Sequence, residues 1–196
     1  MENHSSLVID SLCDQVGGAG NKAVVGLYGD FLAQREQSTA GMLGAILKQL
    51  MSKGGIPKYI REAFQRDKGE FGGRGLRLPD MVEMLKKTVT SLERIFVCID
   101  ALDELAPAPR RGLLESLQEI VRVSPNILIF LTGRPHIDDE IVESFSKAVR
   151  IPISPTQDDI KNYLETKLKS DITPKAMDDQ LRADIMRVIP EKISEM

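Results

Sequence analysis

Hydrophobic positions along this chain alternate between two periods. Leu7, Val8, Ile9, Leu12 and Val16 recur at the spacing of one helical face, and Gly17-Gly18 predict the end of that helix. Residues 23–31 (AVVGLYGDF) are rich in Val and aromatics between turn residues, which predicts a buried strand. Leu43, Ile46, Leu47, Leu50 and Met51 predict a second helix, stopped by Gly54-Gly55. A short helix opened by Pro57 is expected over 56–68, then a glycine-rich loop at Gly72, Gly73 and Gly75. Met81, Val82, Leu85, Val89 and Leu92 form a further helical stripe.

The strongest strand signal is residues 95–99 (IFVCI), which run straight into Asp100. A continuous apolar run is what a parallel sheet with both faces covered requires. The next helix carries Leu113, Leu114, Leu117, Ile120 and Val121 on one face. Residues 127–131 (ILIFL) form a second apolar strand, ending at Thr132-Gly133-Arg134-Pro135, and 148–153 predict a shorter one. Ser154-Pro155-Thr156-Gln157 reads as a helix start with Ser at the N-cap, followed by the stripe Ile160, Tyr163, Leu164 and Leu168. Thr173-Pro174 opens a last helix with Met177, Leu181, Ile185 and Val188. There is no internal repeat. Strands separated by helices predict an α/β layered fold around a mostly parallel sheet.

Composition narrows this only a little. The 196 residues are 42% hydrophobic and 28% charged with a net charge of -3, near the globular average, which excludes disordered and collagen-like classes. The length suggests one domain, or one plus a fragment. A mildly acidic pI of about 5.5 argues against a dedicated nucleic-acid binder. No apolar run approaches the ~20 residues that span a bilayer. Cys13 and Cys98 cannot build a disulfide scaffold and are read as reduced, buried thiols. A cytoplasmic protein with no nucleic-acid or membrane partner is expected.

The candidate chemistry lies where strands end, because ligands of open parallel sheets bind beyond the carboxyl ends of the strands. Asp100 closes the strongest strand, where a carboxylate suits Mg²⁺, which takes one or two carboxylates plus phosphate oxygens. Asp103 and Glu104 come next and are candidates to orient a water for attack on a phosphate. Arg134 closes the next strand, where a guanidinium can sense phosphate charge. The plainer alternative is a solvated acidic loop, with Arg134 paired to a nearby carboxylate. His136 reads as a solvated loop residue, His4 lies in the N-terminal stretch, and Cys98 reads as core. Asp138, Asp139 and Glu140 read as the acidic start of a short helix.

FVCIDALDEL and LTGRPHIDDEI resemble the Walker B segment and the sensor strand of NACHT-type P-loop NTPases, signal-transducing ATPases of the STAND class. The resemblance is to the fungal group with a nephrocystin-3-like N-terminal domain, whose members often carry ankyrin repeats. IPISPTQDDIKNYLETKL is similar to that family's passage from its last core strand into a helical region. SSLVIDSL is similar to the stretch directly after the family's Walker A motif. The resemblance implies a three-layer P-loop NTPase-like sheet over 1–153 that lacks its first, central strand, then the start of a helical region over 154–196. It also implies Mg²⁺ and ATP or GTP as cofactors. Asp100 would be the metal-binding aspartate, Asp103 and Glu104 the residues assisting hydrolysis, and Arg134 the sensor. Where the family often has Ser before that arginine, this chain has Gly133.

The sequence departs from the family at the phosphate loop. No G-x-x-x-x-G-K-[ST] occurs in the 196 residues. Gly17-Gly18-Ala19-Gly20-Asn21-Lys22-Ala23 imitates it, but Asn21 replaces the glycine before Lys22, Ala23 offers no hydroxyl, and the segment precedes a strand instead of following one. Gly72-Gly73-Arg74-Gly75 fails likewise. The expectation is therefore a fragment or degenerate form of a NACHT-type NTPase with impaired nucleotide binding and hydrolysis. The alternative is a non-catalytic protein-interaction module derived from one. Protein partners or self-association are expected in either case, because loss of a central strand bares sheet edges.

Overall fold

The structure is a computed structural model that describes residues 7–16, 21–51, 55–70, 75–170 and 177–194. His4, Gly17-Gly18, Gly54, Gly72-Gly73 and the Thr173-Pro174 helix start lie outside the described residues. The chain divides into two units, 1–148 and 149–196.

The first unit is α/β. A parallel three-stranded sheet is built from β1 (Lys22–Tyr28), β2 (Arg94–Asp100) and β3 (Ile127–Leu131), in that order, with β2 in the middle. The register sets Val25 beside Val97, Cys98 beside Phe130, and Tyr28 beside Asp100. The helices are α1 (Leu7–Val16), α2 (Thr39–Met51), α3 (Lys58–Glu70), α4 (Leu78–Thr90), α5 (Pro107–Val123) and α6 (Asp138–Ser144). This is a P-loop-like arrangement lacking a strand.

Side chains alternate between the faces of a sheet, so one face carries Val25, Ile95, Val97, Ile99 and Ile127, all buried. Leu43, Ile46 and Leu47 of α2, Val82, Leu85 and Val89 of α4, and Leu113, Leu114 and Leu117 of α5 complete that core. The apolar stripes of these helices are therefore the sequence cause of the layer. The opposite face is covered unevenly. α1 packs on β1, and its Ile9 lies against Gly26. Leu128 and Phe130 of β3, on that same face, remain 46% and 36% exposed. The uniformly apolar ILIFL run is thus covered on one face only.

Three expectations are corrected. The first strand ends at Tyr28, three residues short of Phe31, because the chain turns at Gly29 to hydrogen-bond across to β2. Residues 148–153 form no strand. Val149, Ile151 and Ile153 are 87%, 74% and 89% exposed. Alternating apolar residues permit a strand, but only a neighbour supplies its ladder bonds, and Pro152 removes a donor. In the second unit, α7 (Gln157–Lys169) starts later than expected, with Thr156 rather than Ser154 as its N-cap. Thr156 Oγ1 accepts from the Asp159 N–H at 3.1 Å, while the Asp159 carboxylate accepts from the Thr156 N–H at 2.9 Å. These bonds to Thr156 hold the Asp159 carboxyl below its usual range. α7 packs against α8 (Asp179–Ser194).

Candidate functional site at the strand ends

The polar residues singled out in sequence converge at the carboxyl ends of β2 and β3. β2 delivers Asp100 to the rim of the sheet, half-buried. The chain then makes one left-handed step at Ala101, with φ of 53°, and enters a single 3-10 turn, Leu102–Glu104. That turn is anchored by Leu102, which is fully buried.

Thr132, just past β3, ties the two strand ends together. Its hydroxyl donates to Asp100 Oδ1 and accepts from the Ala101 N–H at 2.9 Å. Its carbonyl accepts from Leu102 N–H at 2.9 Å. β1 joins through Gly29, whose N–H donates to the Asp100 carbonyl at 2.8 Å.

Asp103 and Arg134 meet. Asp103 Oδ1 accepts from the Arg134 N–H at 3.2 Å, and Oδ2 lies 3.4 Å from Arg134 Nε. The Asp103 side chain is 7% exposed and that of Arg134 is 73% exposed. The carboxylate is therefore sunk in the protein and occupied in holding the arginine's loop, while the guanidinium reaches outward. Glu104 points toward the end of β1, where Oε2 accepts from Phe31 N–H at 3.2 Å. Its carbonyl accepts from Gln34 Nε2 at 2.7 Å.

Beneath this surface lies a second tie that sequence reasoning missed. Arg110 of α5 is buried and donates through Nε and Nη2 to the two carboxylate oxygens of Glu140, at 2.9 and 2.6 Å. Its remaining nitrogen donates to the Leu105 carbonyl at 3.0 Å. The hydrogen bond from Arg110 holds the Glu140 carboxyl below its ordinary value, and the same bond raises the Arg110 guanidinium. The acidic start of α6 thus has a specific partner as well as a helix dipole. Thr132 and Arg110 gave no sequence signal, because each acts on residues about 30 positions away. A strand-ending threonine and an arginine within an amphipathic helix are commonplace.

Gly133 has a packing cause. A Cβ there would stand 2.7 Å from Ile137 Cδ1, and Ile137 is 1% exposed. His136 is exposed, and Cys98 is buried, its thiol pushed up chiefly by that burial and then by nearby Cys13. Cys13 is exposed, not buried as expected.

Beside the rim, a cavity of about 280 Å³ opens between the ends of β1 and β2 and helix α2, with Tyr28, Gly29, Met42, Ile99 and Leu105 among its lining residues. Among the described residues, no three His, Cys, Asp or Glu side chains cluster to hold a metal ion, and no helix is long and apolar enough to cross a membrane.

The parallel α/β sheet, short of one strand, is of the P-loop-like class. The chain belongs to the family described as Nephrocystin 3, N-terminal, whose model matches residues 4–134, about two thirds of its length. Comparison with curated proteins finds no match.

Proposed function

We propose that this chain carries the metal and γ-phosphate side of a NACHT-type signal-transducing NTPase, and that by itself it binds and hydrolyses nucleotide poorly. The observation that carries the reading is the junction of Asp100, Thr132, Asp103 and Arg134 at adjoining strand ends. In this reading Asp100 would hold Mg²⁺ through water, with Thr132 fixing the orientation of its carboxylate. One Thr132 bond on Oδ1 leaves lone pairs for such water, which fits a cation with few protein ligands. Mg²⁺ and ATP or GTP would supply the charge that the outward-facing Arg134 senses. Glu104, rather than the sunken Asp103, is the better placed of the two to handle a water, and Asp103 positions Arg134.

The impairment rests on the sequence. A triphosphate needs backbone N–H groups and a lysine to cradle it, and the 196 residues contain no such motif. Calorimetric titration of Mg-ATP into the chain is expected to give no saturation at micromolar concentrations and no phosphate release above background. Tight binding abolished by Asp100→Ala, or turnover abolished by Glu104→Gln, would overturn the impaired reading. Failure of any nucleotide effect even when a phosphate-loop segment is supplied in cis would overturn the nucleotide-side assignment.

A further inference from the structure

Helix α2 is pinned to the outer edge of β1. Gln49 of α2 donates from Nε2 to the Gly26 carbonyl at 2.9 Å and accepts from the Gly26 N–H at 3.0 Å. Farther along, Gln37 donates to the Tyr28 carbonyl at 2.9 Å and accepts from the Asp30 N–H at 3.1 Å. These bonds fix the walls of the cavity beside the strand ends, as in ligand sites that stand formed before anything enters.

The cavity holds about 280 Å³, nearly twice the ~150 Å³ of an apolar cavity that accepts benzene. That is room for one ring and a short arm. Met42, Ile99 and Leu105, all buried, form its apolar wall, with Leu27 and Ala45 beside them. None of its lining residues belongs to β3, so it lies on the β1 side of the sheet. One charged residue lines it. Glu36 is exposed at the mouth, and its carboxylate has neither an ion pair nor a hydrogen bond among the described residues. The Gln37 amide, by contrast, is engaged with backbone through both its oxygen and its nitrogen. A lone carboxylate over apolar walls favours a cation with an apolar body and repels an anion.

We propose that this cavity binds a small primary amine carried on a ring-sized apolar body, with the ring against Met42, Ile99 and Leu105 and the ammonium at Glu36. Both ends of the loop 29–37 line the cavity, at Gly29 and at Glu36 and Gln37, and Leu105 follows directly on Glu104. The middle of that loop holds Glu104, through Phe31 N–H on its carboxylate and Gln34 on its carbonyl. An occupant therefore touches the loop that fixes Glu104, and its arrival is felt at the Phe31 amide. The binding itself does not depend on the nucleotide reading of Glu104.

Phenylpropylamine titrated into the isotope-labelled whole chain, followed by amide chemical shifts, is the direct test. Saturation is expected at about millimolar concentration, as a ligand of roughly ten heavy atoms permits, with shifts at Gly29, Phe31, Gln37 and Met42. Phenylpropanol keeps the ring and loses the charge. It is expected to bind about two- to fivefold more weakly, the range of a solvent-exposed ion pair, and phenylpropionate more weakly still. Glu36→Gln is expected to remove the preference for amine over alcohol and to leave alcohol binding unchanged, which also checks that the variant folds. Raising the salt concentration is expected to narrow the same gap in the wild type, with no substitution at all. No saturation by the amine, shifts confined to other surfaces, a still Phe31 amide, or a preference indifferent to both Glu36→Gln and salt would each overturn the proposal. So would binding of N-acetylphenylalanine amide as tight as that of the amine, which would make the cavity a seat for a protein side chain.

Discussion

Gly29 sits against the carbonyl of Ala101 so closely that a Cβ would lie 2.1 Å from that oxygen. Neither backbone can yield cheaply, because Gly29 N–H is bonded to the Asp100 carbonyl and Ala101 N–H to Thr132. Gly29→Ala should therefore cost about 1–3 kcal/mol, as overpacking against fixed atoms does, and lower the urea midpoint with an unchanged slope. The Arg110–Glu140 pair gives a residue-scale prediction with a pH signature. Glu140 has a folded pKa below its ordinary 4.5. Its contribution is present above that ordinary value and is lost as pH falls through the lowered one. Glu140→Gln should destabilise the chain by about 1–3 kcal/mol at neutral pH, since buried Arg110 loses its charged partner. Stability curves of wild type and variant should converge as pH drops below 4.5; parallel curves would remove the charge from the explanation.

At the scale of elements, what the sequence revealed depended on how local the cause was. α2, α4 and α5 were legible because each repeats its apolar residues along one face. β2 and β3 were legible as short apolar runs between polar stretches. The segment 148–153 misled because alternation shows which face of a strand would be apolar, not whether a neighbour exists to bond it. Edge treatment was equally invisible. Gln49 is 23 residues from Gly26, and no local pattern marks a glutamine that caps an edge. Gln49→Leu should leave the Gly26 N–H and carbonyl without these partners, at a cost of about 1–3 kcal/mol if water does not replace them. Hydrogen exchange should report it as faster exchange at Gly26, with β2–β3 amides unchanged; unaltered exchange at Gly26 would show that the amide cap is dispensable.

For the molecule as a whole, the two units are joined through backbone that makes no regular structure. Residues 148–156 carry exposed side chains, with Val149, Ile151 and Ile153 almost fully open to solvent. Brief trypsin treatment should cut after Arg150 before it cuts at Arg110, Arg111 or Arg122, which lie within α5. Earlier cleavage inside α5 would mean that this helix opens more readily than the connecting segment. The carboxyl-end residues Asp100, Asp103, Glu104 and Arg134 all belong to the first unit.

By itself, the sequence determined the α/β class, the two apolar strands, the acidic and basic residues at their ends, and the family to which the chain belongs. Those features are written in runs, periods and short motifs, and neighbouring residues carry them. Only the tertiary structure decided that Asp103 is sunk and holds Arg134, that Thr132 orients Asp100, and that Arg110 clasps Glu140. It also decided that Gln49 caps the edge of β1 at Gly26. These are contacts between residues about 20 to 30 positions apart, set by register and by the close approach that Gly29 permits. A carboxylate at a strand end looks the same in sequence whether it meets water, a metal or an arginine; the fold chooses its neighbour.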